Sequence, residues 1–219
     1  MEKIADGVYM LSCLFRDYIN AYVIGDVLVD AGLSFSIERL RKLLGETQLR
    51  AHLVSHAHPD HQGGSSAICQ ALKLPLWCGS NDADAIESGK VSMCLPSRWG
   101  IGRLSSLIAG PGHPVARRLC EGDCVSTFRV IETPGHSPGH ISLFRESDRF
   151  LIAGDVLGNI NLLTGGARIC EPPKLFTPNR ALNIESARKL AQLSPRTICF
   201  GHGPPLRDGD HFVQFVGQL

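Results

Sequence analysis

The chain has 219 residues, 43% of them hydrophobic and 20% charged, and a net charge of +1. These values are ordinary for a soluble globular protein, and the length buries a large core without help from disulfides or a structural metal. Scattered basic residues leave no footprint for nucleic acid, no run of about 18 apolar residues spans a membrane, and the N-terminus has no basic region followed by an apolar stretch, so a cytoplasmic chain is expected.

The first thirty residues read as short strands. Val8–Leu11, Ala21–Ile24 and Val27–Val29 are apolar and β-branched, and Gly25-Asp26 supplies a hairpin turn between the last two. Ser34 is expected to cap a helix to Leu44, with Ile37, Leu40, Leu43 and Leu44 on one face and Gly45 as its stop. Ala51–Ser55 reads as a buried strand that delivers the chain into His56–His61. Gly63-Gly64 opens a helix over Ser65–Leu72, followed by a strand at Leu74–Cys78 and a short helix at Asn81–Glu87.

Residues 89 to 118 are rich in Gly and Pro and read as irregular, with one helix at Leu104–Ala109. The segment suits either a cover over a pocket or a surface excursion. Its Met93, Leu95, Trp99 and Ile101 suit an acyl pocket or the core, with core favoured. Thr127–Glu132, His140–Phe144 and Arg149–Ala153 are strands, and residues 156 to 180 are loop-like. A helix at Asn183–Leu193, a strand at Thr197–Phe200 and a last helix from Asp208 complete the chain. With no repeat, low-complexity segment or linker, residues 1–219 read as one domain of layered sheet and helix with mixed strand pairing.

The eight cysteines include no C-x-x-C pair, and the closest two, Cys120 and Cys124, read as reduced thiols. The densest chemistry lies in His56-Ala-His58-Pro59-Asp60-His61, four ligand-type side chains within six residues after an apolar strand. Imidazole and carboxylate donors suit zinc, iron and manganese. In a turn leaving a strand, His56 and His58 can face one ion while Asp60 and His61 face another. Three further strand ends have the same form: Thr133-Pro-Gly-His136, Ala153-Gly-Asp155 and Phe200-Gly-His202. Glycine lets each turn tighten and approach an ion closely.

The run H-x-H-x-D-H, then T-P-G-H, G-D and G-H, resembles the metallo-β-lactamase superfamily over nearly the whole chain. That resemblance implies an α/β fold, a four-layer αββα sandwich with mixed sheets, and two divalent metals at one edge between the sheets. It implies His56, His58 and His136 as ligands of the first metal, Asp60, His61 and His202 as ligands of the second, and Asp155 as the bridge. Asp30, in Val-Asp-Ala-Gly, is similar to the aspartate that supports the histidine loop. His140 is similar to a second histidine of glyoxalase II-like members. His52, His113 and His211 lie outside the motifs and read as ordinary structural or surface residues.

The expected activity is hydrolysis of an ester, thioester or lactone-type bond in a small molecule. A hydroxide shared by two divalent ions, zinc first and iron or manganese as alternatives, would be the nucleophile, with Asp60 and Asp155 as catalytic carboxylates. An aspartate at the bridge, where true β-lactamases have cysteine, favours the thioesterase and lactonase branches. Glyoxalase II proper carries a C-terminal helical extension, whereas this sequence ends soon after His202. Quorum-quenching lactonases have tyrosine where Gly158 stands. The alternatives are a mononuclear-iron persulfide dioxygenase, a phosphodiesterase and a non-catalytic metal binder. The partner expected is a small-molecule substrate, with no nucleic acid or membrane, and a homo-oligomer is left open.

Overall fold

The computed structural model describes residues 1–90 and 110–219. Two sheets pack face to face. The first has seven strands in chain order: β1 (Glu2–Ala5), β2 (Val8–Leu14), β3 (Ile19–Ile24), β4 (Val27–Val29), β5 (Ala51–Val54), β6 (Leu76–Gly79) and β7 (Val115–Leu119). Hairpins make β1 to β4 antiparallel, with Gly25 at positive φ in the β3–β4 turn. Helical crossovers then make β4 to β7 parallel, as chain reversal through a helix requires.

In the second sheet, β8 (Cys124–Val125), β9 (Phe128–Glu132), β10 (Ile141–Arg145) and β11 (Phe150–Gly154) pair antiparallel. After a small hairpin of β12 (Gly158–Asn159) and β13 (Ile169–Cys170), β14 (Thr197–Phe200) joins β11 in parallel.

The period-two alternation of each strand divides its side chains between two layers. Tyr22 and Ile24 of β3 and Phe150 and Ile152 of β11 fill the space between the sheets. Their neighbours Ala21 and Val23 pack outward against α1 (Ile37–Leu44), α3 (Ser65–Leu72) and α4 (Ala83–Ser88). Leu151 and Ala153 pack against α5 (Arg180–Gln192) and α6 (Gly209–Val216). The result is the expected αββα sandwich with mixed sheets. Strands buried on both faces are mainly apolar, as β3, β5 and β11 are, and the buried Asn20, Tyr22 and His52 among them are hydrogen-bonded.

Several local expectations change. Ser34 opens a 3-10 turn, Ser34–Ser36, and α1 begins only at Ile37 with no side-chain cap. Leu40 and Leu44 are buried on it, and Gly45 ends it at positive φ. The ligand-rich turn contains a one-turn helix, α2 (Pro59–Gln62), started by proline at its first position. Residues 89 to 118 are not irregular to their end, since Val115–Leu119 forms an edge strand. The loop-like stretch after residue 156 contains the β12–β13 hairpin and a 3-10 turn at Lys174–Phe176. Asn179 caps α5 by accepting from the Leu182 amide (3.1 Å). The helix expected at Leu104–Ala109, and Met93, Leu95, Trp99 and Ile101, lie outside the described residues.

Candidate metal centre

Each donor-bearing segment leaves the end of a strand. β5 runs into Ser55 and His56, β9 into the loop carrying His136, β11 into Asp155 and β14 into His202. An amide of the second sheet's β10, Ile141, donates to the Ser55 carbonyl of the first (3.0 Å), so the sheets are joined where the donors emerge. Glycine is needed twice. At Gly201 a Cβ would overlap the Asp155 carboxylate and lie 2.6 Å from the His61 ring. At Gly154, φ is +59° and a Cβ would lie 2.6 Å from His140 Nε2.

All seven donors converge. Nitrogen atoms of His56, His58 and His136 form one cluster, and donor atoms of Asp60, His61 and His202 form a second, all within 4.8 Å of one another in each. Asp155 Oδ2 stands between them, 4.0 Å from His56 Nε2, 3.4 Å from His61 Nε2, 3.4 Å from His136 Nε2 and 3.0 Å from His202 Nε2. Asp60 Oδ2 is 3.3 Å from His202 Nε2. Asp60 and His202 are half-buried, and the other five are buried.

The outer ring nitrogens decide how the inner ones face. His61 Nδ1–H donates to Asp30 Oδ2 (2.8 Å) and His136 Nδ1–H to Thr177 Oγ1 (3.1 Å), whose hydroxyl donates onward to the Pro173 carbonyl (3.1 Å). His202 Nδ1–H donates to the Tyr18 carbonyl. The Ser55 hydroxyl gives its proton to Asp30 Oδ2 (2.8 Å), so His56 Nδ1–H donates to Ser55 Oγ (3.0 Å). With a proton fixed on Nδ1, all four imidazoles turn Nε2 inward, the atom a cation would take. The buried Nε2 atoms of His56, His61 and His136 and Oδ1 of Asp155 have no hydrogen-bond partner within the protein. Buried polar atoms are seldom left so, and convergent lone pairs of this type fit divalent cations.

The charges agree with that fit. Burial raises the carboxyls of Asp60 and Asp155, yet the neighbouring imidazoles outweigh it and hold both below the usual range. Burial lowers His61 and His202, but Asp155 and Asp60 outweigh it and hold both above the usual range. His56 is pushed well below its usual value by burial and then by His61 and His58. The centre therefore has two anionic carboxylates balanced by protons on His61 and His202, positive charge that bound cations would replace.

Asp30 also accepts the Ser55 amide on Oδ1 (2.7 Å), which places it behind both His56 and His61. It reaches them because β4 and β5 are parallel neighbours whose ends coincide. His140 lies behind the donors. Its Nε2 accepts the Asp155 amide (2.9 Å) and its Nδ1 bonds Thr133 Oγ1 (2.8 Å), so it orients Asp155. His52 is a core histidine bonded to Leu28 and Ser65, and the amide of His211 is held in the cap of α6. The seven described cysteines form no disulfide.

The sequence reading missed Asp82. Its buried carboxylate accepts the Ala57 amide (2.8 Å), the Ser137 hydroxyl (2.5 Å) and the Gly139 amide (2.6 Å). One side chain thus fastens the His56–His58 turn to the His136 loop. Ser55 and Thr177 were missed as well. Asp82 and Thr177 meet their partners on other loops, and Ser55 supports the adjacent His56 through Asp30 of another strand end, so local spacing carries no sign of these roles.

Residues 14–202 match the family model of the metallo-beta-lactamase superfamily. The chain belongs to that superfamily. As a metallo-β-lactamase superfamily member it is a metallo-hydrolase by class, with a His/Asp cluster suited to divalent metals. It is 33% identical over 216 residues to the "Probable metallo-hydrolase YflN" of Bacillus subtilis, covering 88% of this chain and 80% of that one. It is 25% identical over 175 residues to a hydroxyacylglutathione hydrolase of Bdellovibrio bacteriovorus, covering 78% of this chain and 54% of that one. A solved structure, TTHA1623 in a di-iron-bound form, superposes with a TM-score of 0.68 at 27% identity, covering 91% of this chain and 94% of that one. Among the described residues, no helix is long and apolar enough to cross a membrane.

Proposed function

We propose that this superfamily member is a dinuclear metallo-hydrolase that cleaves an ester, thioester or lactone-type bond in a small molecule. The observation that carries the reading is the position of Asp155 Oδ2 between two separate donor clusters, as a bridging carboxylate requires. His56, His58 and His136 would hold one ion, Asp60, His61 and His202 the other, and Asp155 both. When bound, two such ions lower the pKa of a shared water toward neutrality and polarise the attacked carbonyl.

The chain's own residues prepare that chemistry. Asp30, Ser55, Thr177 and the Tyr18 carbonyl hold the Nδ1 protons outward, so the rings need no reorientation before their Nε2 atoms are used. His140 fixes the backbone of Asp155. Asp60 lies half-exposed at the cavity floor, with a carboxylate oxygen available to orient the proton of an attacking water. The nitrogen and oxygen donors accept zinc, iron or manganese. Zinc is the metal proposed first, with iron and manganese as alternatives.

A mononuclear-iron persulfide dioxygenase needs only one of the two clusters, and the gathering of Asp60, His61 and His202 into a second favours hydrolysis. Elemental mass spectrometry on the purified protein, followed by chelation and metal restoration, tests the reading. About two equivalents of metal, with ester or thioester turnover lost on chelation and regained on restoration, is the expected result. One equivalent of iron with oxygen consumption on a thiol persulfide overturns it.

A further inference from the structure

The centre forms the floor of a cavity of about 390 Å³ whose walls are hydrocarbon. Ile19, Leu33, Ile160, Leu162, Pro173 and Phe176 line it. Among the described residues that line it there is no lysine or arginine. Apart from the donor side chains, its one charged lining group is Glu171, whose carboxylate is paired with Arg180 Nε at 2.6 Å.

The mouth continues the apolar surface. Among the described residues, nine large hydrophobic side chains are exposed; two of them, Leu162 and Phe176, line this cavity, and Leu163 and Leu175 are their neighbours in the chain. The exposed Phe15 packs its ring on Tyr18 (5.5 Å between centroids), whose hydroxyl donates to the Leu162 carbonyl (3.1 Å). Exposed apolar side chains grouped at a cavity mouth mark a binding surface.

We propose that this cavity binds an uncharged hydrocarbon substituent of the ester or thioester substrate, acyl or alkyl, and disfavours an anionic one such as the glutathione moiety. The proposal rests on the hydrolase reading above. An anionic group on these walls, away from the metal-binding floor, would lose hydration and gain no cationic partner among the described lining residues. A hydrocarbon chain gains from each buried methylene, by about fourfold in binding at full burial. The finite volume sets an end to that gain once the cavity is filled.

The test uses metal-loaded enzyme and two homologous series, acyl esters of one leaving group from acetyl to octanoyl and acetate esters of lengthening alcohols. The expected result is that kcat/KM rises two- to fourfold per methylene in one series and then levels, and that a neutral hexanoyl thioester is preferred at least tenfold over a glutathione thioester. Phe176→Ala and Leu162→Asp should flatten the rise. Dependence absent from both series while acetyl esters are cleaved, or preference for the glutathione thioester, overturns the proposal and leaves the hydrolase reading standing. If no ester, thioester or lactone is cleaved, the hydrolase reading fails instead. Calorimetric titration with 2-butanone, 2-hexanone and 2-octanone then reads the cavity without turnover. Affinity that climbs with length, and climbs less in Phe176→Ala, supports it; affinity independent of length overturns it.

Discussion

Asp30 Oδ2 accepts the Nδ1–H of His61 at 2.8 Å, so a residue just after β4 determines which face of an imidazole the centre receives. The same carboxylate takes the Ser55 hydroxyl and, on Oδ1, the Ser55 amide. All three partners are donors. In Asp30→Asn, either orientation of the amide sets an N–H group against a donor. The expected outcome is metal affinity weakened about 10- to 100-fold, the usual cost of losing such a support. Competition with a chromophoric chelator measures it, and affinity within twofold of the parent would remove Asp30 from this role.

Asp82 acts on one cluster more than the other. Its three accepted hydrogen bonds join the His56–His58 turn to the His136 loop, which together carry the first cluster. Asp82→Asn leaves an N–H group facing a donor at one of those bonds. The first metal should leave at about tenfold lower chelator concentration, with the second little changed. Dialysis against graded chelator, with elemental analysis at each step, gives both numbers. Equal weakening of the two ions would contradict the selective role.

The donors were legible in the sequence for a physical reason. Each follows an apolar run that forms a strand and a glycine, or a whole polar turn, that ends it, so type and position are local facts. What holds the donors was only partly legible. Asp30 was found through its resemblance to a known pattern, whereas Asp82 and Thr177 meet their partners across 25 to 57 residues, and Ser55 supports the adjacent His56 only because Asp30, 25 residues away, takes its proton. Ser34 failed as a cap because a 3-10 turn precedes the helix. β7 was missed because Val115–Leu119 alternates half-buried and exposed residues at a sheet edge, after a stretch full of glycine and proline. The hydrocarbon walls of the cavity come from β3, the Leu33 turn and the segment after β11, and no window of sequence contains them all.

Gly201 is a steric requirement rather than a turn preference. A Cβ would overlap the Asp155 carboxylate and crowd His61, and both belong to the centre. In Gly201→Ala the β11–β14 pairing remains, but Asp155 must leave its place between the clusters. Turnover should fall at least about 100-fold, as ångström-scale misplacement of reacting groups does. Circular dichroism should be unchanged, and metal content should fall below two equivalents. Full activity in this variant would mean that Asp155 tolerates displacement and does not bridge.

His52 makes stability depend on pH apart from the metal centre. It is fully buried, donates Nδ1–H to the Leu28 carbonyl (3.1 Å) and accepts from the Ser65 hydroxyl on Nε2 (2.8 Å). The bond accepted on Nε2 needs the neutral ring, and burial, outweighing the Leu28 bond, pushes the ring's pKa down from 6.5 to about 4. The folded value is the lower one, so the unfolded chain takes up the proton first as pH falls. The contribution is complete above about pH 6.5 and is lost as pH drops toward 4, by about 2 kcal/mol between pH 7 and 5. Glutamine offers one donor and one acceptor without a titrating proton. Urea unfolding of the parent and His52→Gln, both metal-free, at pH 7 and pH 5 isolates the effect. The parent should lose about 2 kcal/mol more than the variant over that interval, since every other titration is common to both. Equal losses would show that His52 is already protonated in the folded protein, with the Ser65 hydroxyl turned to accept rather than donate.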